Sequence, residues 1–466
     1  MNEAVVISLM LTFAAMAAFV CALAAIGSLQ VAKKFNDGML HYFFYALFFS
    51  AMVTVIGWNR QYTNSTMTGA AEDAVAGGFG GWAVRLSSSI AVVACIDQLL
   101  RYGRANPKIN GAQMLLLVSF LFFWLTNTII PANFSTHTSP LGVPWLYTLM
   151  LTPALLTLSA KGVDKVQQAC RNAILMFCAV SLMFILVRPS AVLDNSYVQG
   201  YIPGMPRFTG LASHPVGMGM CAGLGMWCLI SEPLTRKWLN RLAWACCLTA
   251  MLLSQAKAAI ITFLPGVPVL LYYQFQAAGL KNTKAADFRV YYGLFLGGVA
   301  AVLLGLFYYI IFSKNLNFLS GFMGTRDGAQ LLSLTGRDKI WAIAIQEWRS
   351  APIFGYGLSI FGPDFQHMIN MPNATSGHSQ IYDSLGRVGS VGALGCVIYL
   401  AVLLGMGFKY AKASLGLSLV LAASLVVRGL SEVSVGVRGL DIIDITQYLL
   451  IAVLAGSIIK TRSPGT

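Results

Sequence analysis

A few histidines, arginines and one lysine are the residues of this 466-residue chain whose types and positions could do chemistry. The five histidines are His41, His137, His214, His367 and His378. The last sits in Ser376-Gly377-His378-Ser379-Gln380, just ahead of an apolar stretch opening Gly386-Arg387-Val388-Gly389. An imidazole there titrates near neutral pH and can take a proton from a hydroxyl as a general base. A hydrogen-bonded histidine at a polar–apolar boundary is the other reading. Arg207 follows Pro206 and precedes Phe208-Thr209-Gly210-Leu211, and Arg337 lies in Leu334-Thr335-Gly336-Arg337-Asp338. Guanidinium forks match phosphate oxygens two at a time, which points to an anionic ligand. Salt bridges to Asp338, Glu347 or Asp364 would also employ these arginines. Lys257 lies in an apolar stretch with no acid beside it in sequence. An ionisable group at membrane depth is a functional hypothesis, and a snorkelling stem is its alternative. Arg85, within another apolar run, is a weaker case of the same kind.

The elements that must position these residues are apolar. The chain is 57% hydrophobic and 10% charged, against roughly 25% charged in soluble domains. So little charge cannot cover a water-soluble globule, and lipid is the natural solvent for the surface. A bilayer core needs about 20 apolar residues per helix. On that spacing spans are expected at Ala4–Ile26, Leu40–Trp58, Phe79–Leu99, Gln113–Ile130, Val143–Leu158, Ile174–Val187, Pro215–Ile230, Leu242–Leu253, Ala258–Tyr273, Val290–Phe312, Val388–Phe408, Ser414–Val427 and Ile442–Ile459. The eighth and ninth read as a broken pair turning at Ser254-Gln255-Ala256-Lys257. The expected fold is an all-α polytopic membrane protein of about 12–14 transmembrane helices. The first run has no basic leader and reads as a retained span.

Charge tests this map. Arg101, Arg104, Lys161, Lys165, Arg171, Arg236, Lys237, Arg241, Lys409, Lys412, Lys460 and Arg462 all fall on one side in short segments, as do Lys33, Lys34, Lys108, Lys281, Lys284 and Arg289. That asymmetry marks the cytoplasmic side, with the amino terminus outside and the carboxyl terminus inside. It also accounts for the net charge of +14 without nucleic acid, since no basic stripe is interleaved with exposed aromatics. The opposite side carries two long segments, 188–214 and 313–387, the second of which has helical character at Lys339–Trp348. Loops of this length are usually functional. The chain divides into amino-terminal helices 1–187, central helices 188–312 with the shorter outer loop, the large outer loop 313–387, and carboxyl-terminal helices 388–466. The nine cysteines lie almost all in apolar runs and read as small packing residues.

Several motifs are missing: a Walker loop, a His-Glu-x-x-His metal site, a Gly-x-Ser-x-Gly elbow, and paired aspartates in the outer loops. Sugar or phosphate chemistry here would therefore be metal-independent, and no cofactor is expected.

The outer residues taken in order resemble a known family, the O-antigen ligase and Wzy-type polysaccharide polymerase superfamily. The matching pieces are Arg207 with Leu211 (an Arg-x-x-x-Leu pattern), Ser213-His214-Pro215, Leu253-Ser254-Gln255-Ala256-Lys257, Leu334 to Trp341, Pro352-Ile353-Phe354-Gly355-Tyr356-Gly357, and His378-Ser379 with Gly389 and Gly392 beyond. The resemblance spans about 204–400. Lys257 stands where the family usually has arginine, keeping charge but losing the fork. Ser379 stands where asparagine is commoner.

The resemblance implies a bacterial inner-membrane glycosyltransferase of the GT-C type, with its active site facing the periplasm. Its donor would be a glycan on undecaprenyl diphosphate, transferred with inversion and without metal. Arg207, Lys257 and Arg337 would hold the diphosphate and His378 would activate the acceptor hydroxyl, with His214, Tyr356 and Gln380 as lesser substrate contacts. The Leu-Thr-Gly-Arg run and the Pro-Ile-Phe-Gly-Tyr-Gly run look more like polymerases, which extend a glycan on its carrier. The Arg-x-x-x-Leu and His-Ser patterns fit ligases, which pass it to lipid A-core. A protein O-oligosaccharyltransferase is a third relative. A chain-length regulator would be a natural partner of a polymerase. A flippase is the reading from another class, though internal repeats, common in carriers, are not seen.

Overall fold

Every apolar run in the described part of the chain folds as a helix. A computed structural model describes Gly27 and residues 38–57, 79–105, 109–142, 144–194, 205–212, 214–277, 337–371, 374–437 and 442–462. The expected spans Ala4–Ile26 and Val290–Phe312, and most of the first half of the expected large outer loop, lie outside the described residues.

In chain order the helices are α1 (Tyr42–Gly57), α2 (Phe79–Ala105), α3 (Gly111–Asn127), α4 (Ile129–Phe134), α5 (Pro144–Leu156), α6 (Ala160–Val187), α7 (Pro189–Val192), α8 (Pro215–Ser231), α9 (Lys237–Ser254), α10 (Lys257–Ala277), α11 (Arg337–Ser350), α12 (Pro363–Met368), α13 (Gln380–Lys409), α14 (Leu417–Gly429) and α15 (Ile445–Arg462). A two-residue antiparallel ribbon joins β1 (Leu193–Asp194) to β2 (Arg207–Phe208), with Asp194 opposite Arg207. Six of the described helical stretches are long and apolar enough to cross a membrane, and four shorter apolar helices accompany them. The protein is an all-α polytopic membrane protein.

Their faces show which solvent they meet. Leu115, Val118, Met183, Leu186, Leu394 and Val397 are exposed large apolar side chains on α3, α6 and α13. In water this would be an aggregation surface; in hydrocarbon these side chains meet a solvent as apolar as themselves, while the helices keep their backbone polar groups paired internally along the span. The centre is α15, whose apolar window is 89% buried, packed by α5, α6 and α14. On α8, Gly219 faces Ser254 and Ala256, and Gly225 faces Ile174 and Cys247, so a side chain at either would collide with its neighbour. Small residues let these backbones approach closely, which is how packing is gained where the hydrophobic effect is weak.

Several spans begin earlier than apolarity alone predicts. The sixth starts at Ala160 rather than Ile174, with the Ser159 hydroxyl accepting from Gly162 N at its head. Its first turns are polar and reach beyond the apolar zone, so Lys161, Lys165 and Arg171 lie on helix rather than in a loop. Arg171 is buried there and donates to Glu232 O at 2.6 Å. The eighth starts at Lys237 rather than Leu242. Among the described basic residues, Lys460 at the end of α15 meets Asp164 near the head of α6 at 3.8 Å. Glu232, at the end of α8, meets Gln168 of α6 at 2.6 Å. These contacts put the basic ends of several helices at one end of the bundle.

At the other end α13 is broken. Gly389 has φ 66° and ψ −166° inside an otherwise helical run from Gln380, so this helix also begins before the expected Val388. A break strands backbone groups that must be paired. Here the segment Pro352–Gly357 pairs them. Ser390 N and Val391 N donate to Pro352 O (2.9 Å) and Ile353 O (3.2 Å), while Gly386 O and Arg387 O accept from Tyr356 N (2.9 Å) and Gly357 N (3.0 Å). The chain at Pro352–Gly357 is thus spliced into the helix break. Gly355, at φ +74°, lies against the Gly389 backbone with no room for a Cβ.

Candidate active site

The break in α13 leaves a short amino-terminal arm, and His378 stands just ahead of it. The turn that presents it is locked. Asp383 Oδ1 accepts from Gly377 N at 2.8 Å, and Trp341 Nε1 on α11 donates to Gly377 O at 2.9 Å. His378 itself adopts φ +45°, the left-handed region that a non-glycine residue rarely enters. A strained backbone held by surrounding bonds is common where a side chain must be aimed.

His378 is aimed at Glu432. Its Nδ1 lies 3.6 Å from Glu432 Oε2, while Glu432 Oε1 accepts from Arg337 Nη2 at 2.7 Å. Arg337 Nη1 also donates to Ser431 O at 2.5 Å. One carboxylate therefore stands between the expected base and an expected phosphate-binding arginine. Burial would raise the Glu432 carboxyl. The His378 ring and the Arg337 guanidinium outweigh this, with help from His214, and hold it below its ordinary value. Glu432 is ionised at neutral pH.

The segment bearing Glu432 is fastened to the segment bearing His378. Ser379 Oγ donates to Gly429 O at 3.3 Å, and Gln380 Oε1 accepts from Ser434 N (2.8 Å) and Val435 N (3.0 Å). Gln380 is buried. Its expected place is a substrate contact; the structure employs its carbonyl oxygen in holding the 429–435 segment. From below, Arg428 is buried in α14 and donates to Thr446 Oγ1 (3.1 Å) and Ile443 O (3.3 Å). Its own carbonyl accepts from Glu432 N at 2.8 Å.

A second group faces this one. His214 caps α8, its Nδ1 accepting from Val216 N at 3.2 Å, with Pro215 in the first turn. His214 is exposed to solvent at its surface, but protein atoms packed around the ring disfavour its charged form. That crowding lowers the imidazole to about 4; Glu432 opposes the shift, Arg207 and His378 add to it, and Asp194 opposes it weakly. His214 is therefore neutral at pH 7. With Nδ1 accepting, Nε2 carries the proton and is a donor.

Arg207 does not reach into open space. It is 4% exposed, and its guanidinium donates to the last carbonyls of α9, Ser254 O at 3.2 Å and Gln255 O at 3.4 Å. Gln255 takes the left-handed conformation that ends α9 and returns a hydrogen bond to Met205 O at 3.2 Å. The turn expected at Ser254–Lys257 is there, clasped by Arg207, and it presents Lys257 exposed at the first position of α10. Arg207 and Lys257 lie close enough to feel each other's charge.

Tyr356 lies apart from this set. Its ring stacks on His137 at 4.1 Å between centroids and meets Phe365 edge-on at 4.9 Å. The charges that reach its phenol are Glu347 and Asp364. Among the described residues its backbone serves the α13 splice.

So His378, Arg337, His214, Arg207 and Lys257 belong to one end of the bundle, opposite the basic helix ends. Sequence reasoning missed Glu432, Arg428 and Asp383. The first two had a signal: Arg428 and Glu432 stand four residues apart just past the expected span Ser414–Val427, on a side whose short connections are expected to be poor in Lys and Arg. The described residues hold no group of three or more His, Cys, Asp or Glu able to bind a metal.

Residues 242–397 match the O-antigen ligase family. The matched stretch includes most of α9, the Lys257 turn, α11, His378 and the break at Gly389, and it supports the O-antigen ligase and Wzy-type superfamily. No curated protein matches the sequence.

Proposed function

We propose that this protein is a membrane glycosyltransferase that polymerises undecaprenyl-diphosphate-linked oligosaccharide repeat units at the outer, periplasmic face of the bacterial inner membrane. The observation that carries the reading is the meeting of His378, Glu432 and Arg337, from three separate parts of the chain, at the end of the bundle away from the basic helix ends. That end is the outer one if positive charge marks the cytoplasm.

In the proposed reaction an acceptor sugar hydroxyl attacks the anomeric carbon of the donor glycan. His378 Nε2 takes the hydroxyl proton. The anomeric carbon–oxygen bond breaks, its electron pair leaving with the undecaprenyl diphosphate, and the configuration inverts. Charge grows on that leaving group, and Arg337 and Lys257 stabilise it. His214 donates through Nε2–H to a substrate oxygen. Arg207 acts through the turn it clasps, which sets Lys257. Such a site belongs to the GT-C type and uses no cofactor. A chain-length regulator is the partner this reading expects.

A second reading rests on the match to the O-antigen ligase family: the same chemistry with lipid A-core as acceptor. One reaction separates them. Purified protein given lipid-linked repeat units alone yields a product ladder on a gel, abolished in His378→Ala, if it is a polymerase. Transfer only after lipid A-core is added makes it a ligase. Movement of the lipid-linked glycan across a bilayer with no new bond would overturn both in favour of a transporter.

A further inference from the structure

The carboxylate of Glu432 faces a guanidinium and an imidazole nitrogen that it does not satisfy equally. Arg337 Nη2 holds Oε1 at 2.7 Å, while His378 Nδ1 stands 3.6 Å from Oε2. That nitrogen is buried and has no hydrogen-bond partner among the described residues. A buried N–H without an acceptor carries a desolvation cost. The gap to a proper hydrogen bond is less than about 1 Å. The backbones on both sides are fastened by Ser379, Gln380, Asp383 and Arg428, so rotation of the Glu432 side chain is enough to close it.

We infer that Glu432 is a positioning residue that couples donor occupancy to the basicity of His378: a diphosphate that draws Arg337 away releases the carboxylate onto the His378 Nδ1–H. The inference rests on the proposed transfer reaction and deepens it. A diphosphate offers a guanidinium more charge and more acceptor oxygens than one carboxylate does. Arg337 moves its N–H from Glu432 Oε1 to a phosphate oxygen, and Glu432 Oε2 accepts the N–H of His378. No covalent bond changes. While Arg337 sits on Glu432 its positive charge offsets part of the carboxylate's charge at the ring. Once it leaves, a nearby negative charge favours the protonated imidazole and makes Nε2 the stronger base. The groups facing the pair are Arg337 from α11, His214 at the head of α8, Asp383 on α13 and Arg428 on α14, with Arg207 and Asp194 beyond His214. Among them Arg337 is the cation in direct contact with the carboxylate that a diphosphate would also seek. The base would thus gain strength only when a donor is in place, which protects acceptor hydroxyls from idle deprotonation.

The test is the titration of the His378 ring, followed by NMR in full-length protein in nanodiscs and assigned with His378→Asn. The probe is undecaprenyl diphosphate carrying no glycan. The midpoint is expected to rise by about one pH unit on adding the probe to the wild type, and to move far less in Glu432→Gln. No rise in the wild type, or an equal rise in Glu432→Gln, would overturn the coupling. If Glu432→Gln does not fold, Glu432→Asp serves: it keeps the charge one methylene further back, and a rise as large as in the wild type would overturn the idea. Failure of the transfer reaction is read separately. A ring that responds in protein making no glycosidic bond leaves the coupling standing and removes the transferase; product formation with an unresponsive ring does the reverse.

Discussion

At the scale of single residues, the cluster sorts into side chains that stay open to solvent and side chains that hold them. His214 shows the distinction through protonation. Its crowded ring titrates at about 4 instead of 6.5. Between these values the unfolded chain binds the proton and the folded one does not, so stability rises with pH through that window. The contribution of the neutral ring is complete above about 6.5 and lost as pH falls toward 4. Glu432, held below its ordinary value, weakens the fold in the same direction, its pairing being lost as pH falls through its folded value. The His214 resonances should stay flat from pH 8 to 5 in an NMR titration; a midpoint near 6.5 would show an open ring. His214→Asn should keep the α8 cap, whereas His214→Ala should cost about 1 kcal/mol by thermal melting. Arg207 belongs to the holding groups. Because its guanidinium pairs with Ser254 O and Gln255 O, Arg207→Met should cost about 1–3 kcal/mol of stability. In reaction kinetics it should then resemble a displaced Lys257. A variant with wild-type melting and a loss confined to donor affinity would instead make Arg207 a direct phosphate contact.

At the scale of elements, the splice of Pro352–Gly357 into the broken α13 builds the site. Without it, four backbone groups at the break would be orphaned and the arm carrying His378 would have no fixed direction. Gly389→Ala asks a side chain to adopt a backbone region open essentially to glycine and to enter the space of Ile353. It should cost about 3 kcal/mol, the upper end for such strain. The measurements are a lowered melting temperature in detergent and lost transfer activity; a melt unchanged from the wild type would show that the break is not required. Here the sequence was legible in part. Apolar run lengths located the described apolar spans because a bilayer imposes length, and the turn at Ser254–Lys257 followed from four small or polar residues between two apolar runs. The early starts of α6, α9 and α13 were not legible, since polar helix beyond the apolar zone leaves no hydropathy mark. Nor was the splice, because pairing between 352–357 and 386–391 is carried by main-chain atoms. Gly355 and Gly389 recorded only that unusual backbone was needed somewhere. Charge type singled out His378, Arg337 and Lys257, which the structure places at one end of the bundle. The role of Gln380 was hidden, because a buried carbonyl oxygen accepting two N–H groups looks in sequence like any polar residue near a candidate base.

At the scale of the molecule, the bundle separates charge by end, and that separation is what a membrane reads. Lys460 meets Asp164 at one end; His378, Arg337 and Lys257 occupy the other. Moving a site of this charge through hydrocarbon would be costly, so each end should stay on its own side. The described native cysteines are buried except Cys246, which is half-buried, so single introduced cysteines can report sidedness with little background. Lys460 is 55% exposed at the side chain, and Asp364 on α12 is exposed near the α13 splice. In intact cells with a permeable outer envelope, a membrane-impermeant maleimide should label Asp364→Cys directly and Lys460→Cys only after the inner membrane is opened. Labelling of both before opening would mean a leaky membrane, which a cytosolic marker protein detects. The reverse pattern would put the His378 end in the cytoplasm. The glycan acceptor and donor would then have to meet in the cytoplasm, with the positive helix ends outside against the usual rule, and the assignment to outer-face polymerisation would fall even if the catalytic residues proved correct.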